Sequence, residues 1–93
     1  YNAEATGEKY RDIAKAMSVE GVDKMSLEEV RKAACDAVAQ LSKDVGIPEN
    51  LKGIVKEEDI GFLAQSAMDD ACRPGNPKDP TKEDIIALYK SLL

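Results

Sequence analysis

The chain has 93 residues, no histidine and a net charge of −5. That length supports one small core burying about 60–65% of the unfolded surface, and the acidic balance argues against nucleic acid or an anionic membrane as partner, since both bind basic surface. Without histidine, these residues contain no Ser-His-Asp triad, no Cys–His pair, no zinc-protease helix and no 2-His-1-carboxylate iron site.

The hydrophobic pattern is helical from end to end. Tyr10, Ile13, Ala14 and Met17 recur at i, i+3, i+4 and i+7, which predicts a first helix over 7–17 with Thr6 as its N-cap. A polar turn follows over 20–24. The second helix opens on Ser26-Leu27-Glu28-Glu29, a capping box in which Ser26 and Glu29 satisfy each other's amides. Leu27, Val30, Ala34, Val38, Leu41 and Val45 then share one face. The helix stops at Val45-Gly46-Ile47-Pro48: Gly46 takes the left-handed position, Ile47 packs back on the last turn, and Pro48 prevents continuation.

Leu51, Ile54 and Val55 lie in a short connection, where burial is expected. A third helix is predicted over 57–71, with Ile60, Leu63, Ala64, Ala67 and Ala71 on its main stripe. Phe62, the chain's one phenylalanine, falls opposite that stripe beside Asp59, Ser66 and Asp69. Over 72–80, three prolines and a glycine exclude a helix. Thr81 caps a last helix carrying Ile85, Ile86, Leu88, Tyr89, Leu92 and Leu93. The expected fold is all-α: four main helices with short connections around an Ala- and Leu-rich core. No apolar run approaches the roughly 20 residues of a membrane span, and no signal peptide is visible. The opening residues resemble neither a natural start nor a tag, so the chain is expected to be a piece of a longer polypeptide.

Local chemistry is sparse. No G-x-G-x-x-G or Walker pattern is present. Glu57-Glu58-Asp59 and Asp69-Asp70 lack the alternation of an EF-hand and read as solvated helix faces, the first group also favouring a helix start through the macrodipole. Cys35 sits at the margin of the second helix's stripe, where a packed, inert thiol is expected. Cys72 ends the third helix beside Arg73; the cation favours thiolate and the helix C-terminus opposes it. No base accompanies Cys72, so it is not read as a nucleophile. The two cysteines are far apart without a C-x-x-C, which fits a reducing, cytoplasmic setting. Met25-Ser26-Leu27 stands where acyl carrier proteins have Asp-Ser-Leu, but the Asp is missing and the capping box accounts for Ser26.

Three stretches carry a resemblance. The first is Ala67-Met68-Asp69-Asp70-Ala71-Cys72-Arg73-Pro74-Gly75-Asn76-Pro77-Lys78. It resembles the C-terminal Asp-Asp-x-Cys-x-x-x-Asn-Pro-Arg/Lys signature of iron-dependent alcohol dehydrogenases. The second, Leu41-Ser42-Lys43-Asp44-Val45-Gly46-Ile47-Pro48, is similar to that family's helix end before Gly-Ile-Pro. The third, from Asn2 to Ala14, is similar to the segment that follows the metal-binding helices in a family member acting on lactaldehyde and 1,2-propanediol.

The resemblance spans essentially the whole chain and implies a two-domain, homo-oligomeric parent, with an α/β domain for NAD and an all-helical domain holding Fe²⁺ through one Asp and three His.

 In it, 1–93 is the C-terminal portion of the helical iron-binding domain. The implied reaction is interconversion of lactaldehyde and 1,2-propanediol by hydride transfer. The metal-ligand motifs lie upstream of the segment matching Tyr1, so no residue of 1–93 is expected to ligate iron or bind NAD, and the missing histidines place the chain after the last metal ligand. The parts upstream of Tyr1 are the implied partners of 1–93, which alone is expected to be inactive. The family's Cys position lines the substrate pocket, and here it is Cys72. The commoner family loop is Cys-Thr-Gly-Gly-Asn-Pro-Arg, so Arg73 and Pro74 are departures. An alternative reading is an autonomous acidic helical interaction module, with Phe62 and Leu92-Leu93 as its binding surface.

Overall fold

The computed structural model describes residues 1–93 and contains helices and no strand. Its helices are α1 (Ala3–Thr6), α2 (Lys9–Ala16), α3 (Leu27–Asp44), α4 (Ile60–Asp69) and α5 (Lys82–Ser91), with 3-10 turns at Val22–Lys24, Glu57–Asp59 and Arg73–Gly75. The four longer helices are the four main ones expected. They fall into two compact units, Tyr1–Ile47 and Pro48–Leu93. None is long and apolar enough to cross a membrane.

In the first unit α2 packs on α3. Ala14, Val22, Val30 and Ala34 are buried at the contact, with Tyr10, Val19, Met25 and Leu27 packed around them. The first helix does not start as its sequence predicts. Thr6 closes α1, donating its amide to Asn2 O at 3.0 Å, and Gly7 breaks the chain at φ 60°. α2 begins after Glu8 without a side-chain cap. Its first amides are taken instead by carbonyls one turn back, Tyr10 N to Gly7 O at 3.4 Å and Arg11 N to Glu8 O at 2.9 Å.

Arg11 joins α2 to the turn that leads into α3. Its Nη1 donates to Val22 O and, at 2.9 Å, to Met25 O, and its Nε donates to Glu8 Oε2 at 3.1 Å. Nearby, Lys15 Nζ stands 2.7 Å from Asp23 Oδ1. That hydrogen bond and the lysine charge hold the Asp23 carboxyl below its ordinary range.

The punctuation of α3 follows its sequence. Ser26 Oγ accepts from Glu29 N at 3.2 Å, and Glu29 Oε2 accepts from Ser26 N at 2.9 Å. At the other end Gly46 has φ 80°, Gly46 N donates to Lys43 O at 3.1 Å and Ile47 N donates to Ser42 O at 2.8 Å. These two bonds make a Schellman motif. Ile47 remains 57% exposed, so its expected packing back does not bury it. A Cβ added at Gly46 would meet nothing within 4 Å, which leaves backbone conformation as the cost of a side chain there. Gly46→Ala is therefore expected to destabilise the last turn by about 1 kcal/mol. Amide hydrogen exchange at Ile47 should accelerate about fivefold.

The apolar face of α3 is only half covered. Val30 and Ala34 are buried, whereas Val38, Leu41 and Val45 are 48%, 49% and 63% exposed. Length explains the division. The eight residues of α2 span about 12 Å, against about 27 Å for the 18 residues of α3. Cys35, expected to be packed, is exposed. It lies roughly 100° round the helix from the centre of the stripe, outside the part that α2 covers.

In the second unit α4 packs on α5, burying Ile60, Ala64 and Ile85. Lys82 Nζ donates to Gln65 Oε1 at 2.9 Å across the pair. Thr81 and Asp84 form a reciprocal capping box, with bonds of 3.1 and 3.0 Å. The connection before α4 is tied to the end of α5 by Leu51 N donating to Leu92 O at 2.8 Å. Leu51 and Val55 are half-buried, but Ile54 is 68% exposed, contrary to expectation. It sits in a tight turn beside Gly53 at φ 79°, where the chain reverses before reaching the core.

The third predicted helix is shorter than its pattern. Glu57–Asp59 forms a 3-10 turn, α4 runs to Asp69, and Asp70 is extended at φ −68°, ψ 127°. Ala71, expected on the buried stripe, is consequently exposed. Phe62 is 73% exposed, as its place on the wheel requires.

Candidate functional site

The one position singled out for a pocket, Cys72, stands on the turn between α4 and α5. Asp70 begins this turn. Its Oδ1 accepts from Cys72 N at 2.6 Å and its carbonyl accepts from Arg73 N at 3.1 Å. Aspartate does this readily because its short side chain reaches an amide two residues on. The chain then makes a 3-10 turn at Arg73–Gly75 with Pro74 near its start. Gly75 N donates to Cys72 O and Asn76 N to Arg73 O, both at 3.0 Å. The expectation that three prolines and a glycine exclude a helix here holds for an α-helix only: a short 3-10 helix at Arg73–Gly75 includes Pro74.

Two side-chain links cross the turn. Arg73 Nη1 bridges to Asp79 Oδ1, and Asn76 Nδ2 donates to Lys78 O. The Arg73 side chain is 28% exposed and that of Asp79 is 79% exposed. Arg73 Nε is out of contact with solvent and has no acceptor. The Cys72 thiol is free and exposed. Asp79 has no part in the sequence reading of the site. Its signal is an acid six residues after Arg73, across a Pro-Gly-Asn-Pro stretch whose proximity only the folded turn reveals.

Asp69 and Asp70 do not converge. Asp69 accepts from Gln65 Nε2 at 3.1 and 3.2 Å, while Asp70 is turned into the loop. No group of three or more His, Cys, Asp or Glu side chains is gathered to hold a metal ion, so the residues present do not fit an iron centre. Nor does a glycine-rich loop feed a helix N-terminus as a cradle for a dinucleotide phosphate. A separate apolar groove of about 250 Å³ lies along α5, lined by Ile85, Leu88, Tyr89 and Leu92.

Residues 1–93 match the Fe-containing alcohol dehydrogenase family, C-terminal. Over 90 residues the chain is 58% identical to lactaldehyde reductase of Escherichia coli (strain K12), covering 96% of this chain and 23% of that protein. It is 35% identical over 91 residues to 1,3-propanediol dehydrogenase of Citrobacter freundii, covering 97% and 23%. With the NAD-dependent methanol dehydrogenase of Bacillus methanolicus it shares 34% identity over 94 residues, covering 100% and 24%. The chain thus spans under a quarter of the length of these relatives. Matched over its whole length, it belongs to the Fe-containing alcohol dehydrogenase family, as that family's C-terminal part.

Proposed function

We propose that residues 1–93 are the C-terminal helical part of an iron-containing, NAD-linked alcohol dehydrogenase that interconverts lactaldehyde and 1,2-propanediol. The observation that carries this reading is the 58% identity to a lactaldehyde reductase along 96% of the chain. The name of the methanol dehydrogenase relative supports NAD as the hydride carrier. Iron and NAD, which the family implies for the whole enzyme, are held by residues outside 1–93. The half-covered face of α3 and the exposed Phe62 and Leu92 are surface for the rest of the polypeptide rather than for a separate partner. The setting is cytoplasmic, in keeping with two free thiols.

Within that enzyme Cys72 forms part of the pocket wall. It sits on a turn whose flanking amides are bonded, so its backbone is held while its thiol stays open. The full-length protein, supplied with Fe²⁺, is expected to reduce lactaldehyde with NADH, and the 93-residue chain to show no turnover. Cys72→Trp in the full-length protein should lower kcat/KM for 1,2-propanediol about tenfold or more, and less for ethanol. Failure of the full-length protein to oxidise or reduce either compound would overturn the proposed activity. An unchanged ratio between the two alcohols would remove Cys72 from the pocket.

A further inference from the structure

We propose that Arg73 is a positioning residue: its bridge to Asp79 closes the turn over 72–79, fixes where the Cys72 thiol stands, and so sets the size of alcohol the pocket admits. The specificity part of this inference rests on the reading above that Cys72 lines that pocket.

The case begins with the guanidinium itself. Arg73 has lost most of its contact with water, at 28% exposure, and its Nε has no acceptor. Withdrawing a donor from water without a partner costs free energy, so the side chain stays there only because another interaction holds it. The charge-assisted bond from Nη1 to Asp79 is that interaction. Asp79 is exposed at 79%, so the bridge runs from the half-buried arginine to a carboxylate on the solvent side of the far arm.

The backbone around Cys72 transmits this anchoring. Cys72 N is held by the Asp70 carboxylate at 2.6 Å, Cys72 O by Gly75 N at 3.0 Å, and Arg73 N by Asp70 O at 3.1 Å. Arg73 adjoins Cys72 directly, so a shift of the arginine is a shift of the cysteine. Along the other arm, Pro77 and Pro80 restrict the chain, and Pro80 also holds Asp79 toward an extended conformation. Stiff arms joined at few points respond to one link as a unit. Within the same turn Asn76 Nδ2 donates to Lys78 O, a contact that does not reach Cys72. The Arg73 bridge connects the far arm to the residue beside the thiol.

The test uses the full-length protein and a double-mutant cycle of Arg73→Ala and Asp79→Ala, with the charge swap Arg73→Asp/Asp79→Arg as a further variant. Two readouts are taken: the rate of Cys72 alkylation by iodoacetamide, followed on its own peptide by mass spectrometry, and KM and kcat for primary alcohols of increasing length. Each single variant is expected to change the alkylation rate about threefold to tenfold, with the double variant no further displaced and the swap returning toward the parent rate. The ratio of KM between long and short alcohols should move about tenfold with kcat nearly constant. An unchanged alkylation rate, or single effects that simply multiply, would overturn the bridge as the device that positions Cys72. A changed alkylation rate with an unchanged alcohol profile would instead overturn the pocket reading, and the specificity role with it, while leaving the bridge in place.

Discussion

Val30→Asp is expected to unfold the first unit. Val30 has no exposed surface and is the largest side chain so enclosed, and it sits at the centre of a cluster whose other buried members are Ala14, Val22 and Ala34. No basic side chain is among them to pair with a new carboxylate. An unpaired buried acid costs more than about 4 kcal/mol, even after it takes up a proton. A unit of the size of Tyr1–Ile47 has only about 2–7 kcal/mol to lose, at 0.05–0.15 kcal/mol per residue. Val30→Ala, which removes two methyl groups without adding charge, should cost about 2 kcal/mol. In the full-length protein, amide hydrogen exchange over α2 and α3 is the measurement. Near-complete loss of protection is expected for Val30→Asp and partial loss for Val30→Ala. Equal effects would mean that volume alone matters at this site.

Arg11→Ala is the second large effect. One guanidinium ties α2 to both ends of the turn that precedes α3, through Val22 O and Met25 O, while Glu8 holds its Nε. Hydrogen bonds with a charged donor contribute about 1.5–3 kcal/mol each. Val22 O keeps a second donor, Met25 N at 3.2 Å, so its loss is partial. A total of about 2–4 kcal/mol is expected. Arg11→Lys should recover less than half of it, because a single ammonium cannot reach the two carbonyls and the Glu8 carboxylate together as Nη1 and Nε of one planar guanidinium do. Faster exchange of the amides at Met25 and at the start of α3 would register both variants. Full rescue by lysine would show that charge, and not fork geometry, makes the link.

Arg11 also shows where reading a sequence stops. Its stripe neighbours Tyr10, Ile13, Ala14 and Met17 announce a helix, but nothing local says that residue 11 reaches carbonyls at 22 and 25. The capping box at Ser26, the cap at Thr81 and the stop at Gly46 were legible because each is a bond between residues a few positions apart. Thr6 failed as a cap for a local reason as well: it is the last residue of a short helix of its own, and Gly7 breaks the chain before α2 begins. Cys35 and Ile54 failed for a different reason. Their burial depends on how far a neighbouring helix extends and where a turn points, and neither is encoded in the period of their own segment.

The candidate site divides the same way. The run from Ala67 to Lys78, taken with the two other matching stretches, brought Cys72 forward and tied the chain to its family, because a motif is a statement about order and spacing. The shape of the turn was not available from that run. Asp70 leaves the helix to hold Cys72, and Asp79 returns to hold Arg73, through contacts set by the folded path of the chain.

The sequence by itself determined the helical class, the caps of α3 and α5, the stop of α3, the acidic balance and the absence of histidine chemistry within 1–93. Each of these follows from composition or from interactions spanning a turn or less. Tertiary structure alone decided which half of the α3 stripe is covered, which thiols and apolar side chains face solvent, and which acid answers Arg73. Burial is a relation between segments, and in this chain it turns on an eight-residue α2 laid against an 18-residue α3.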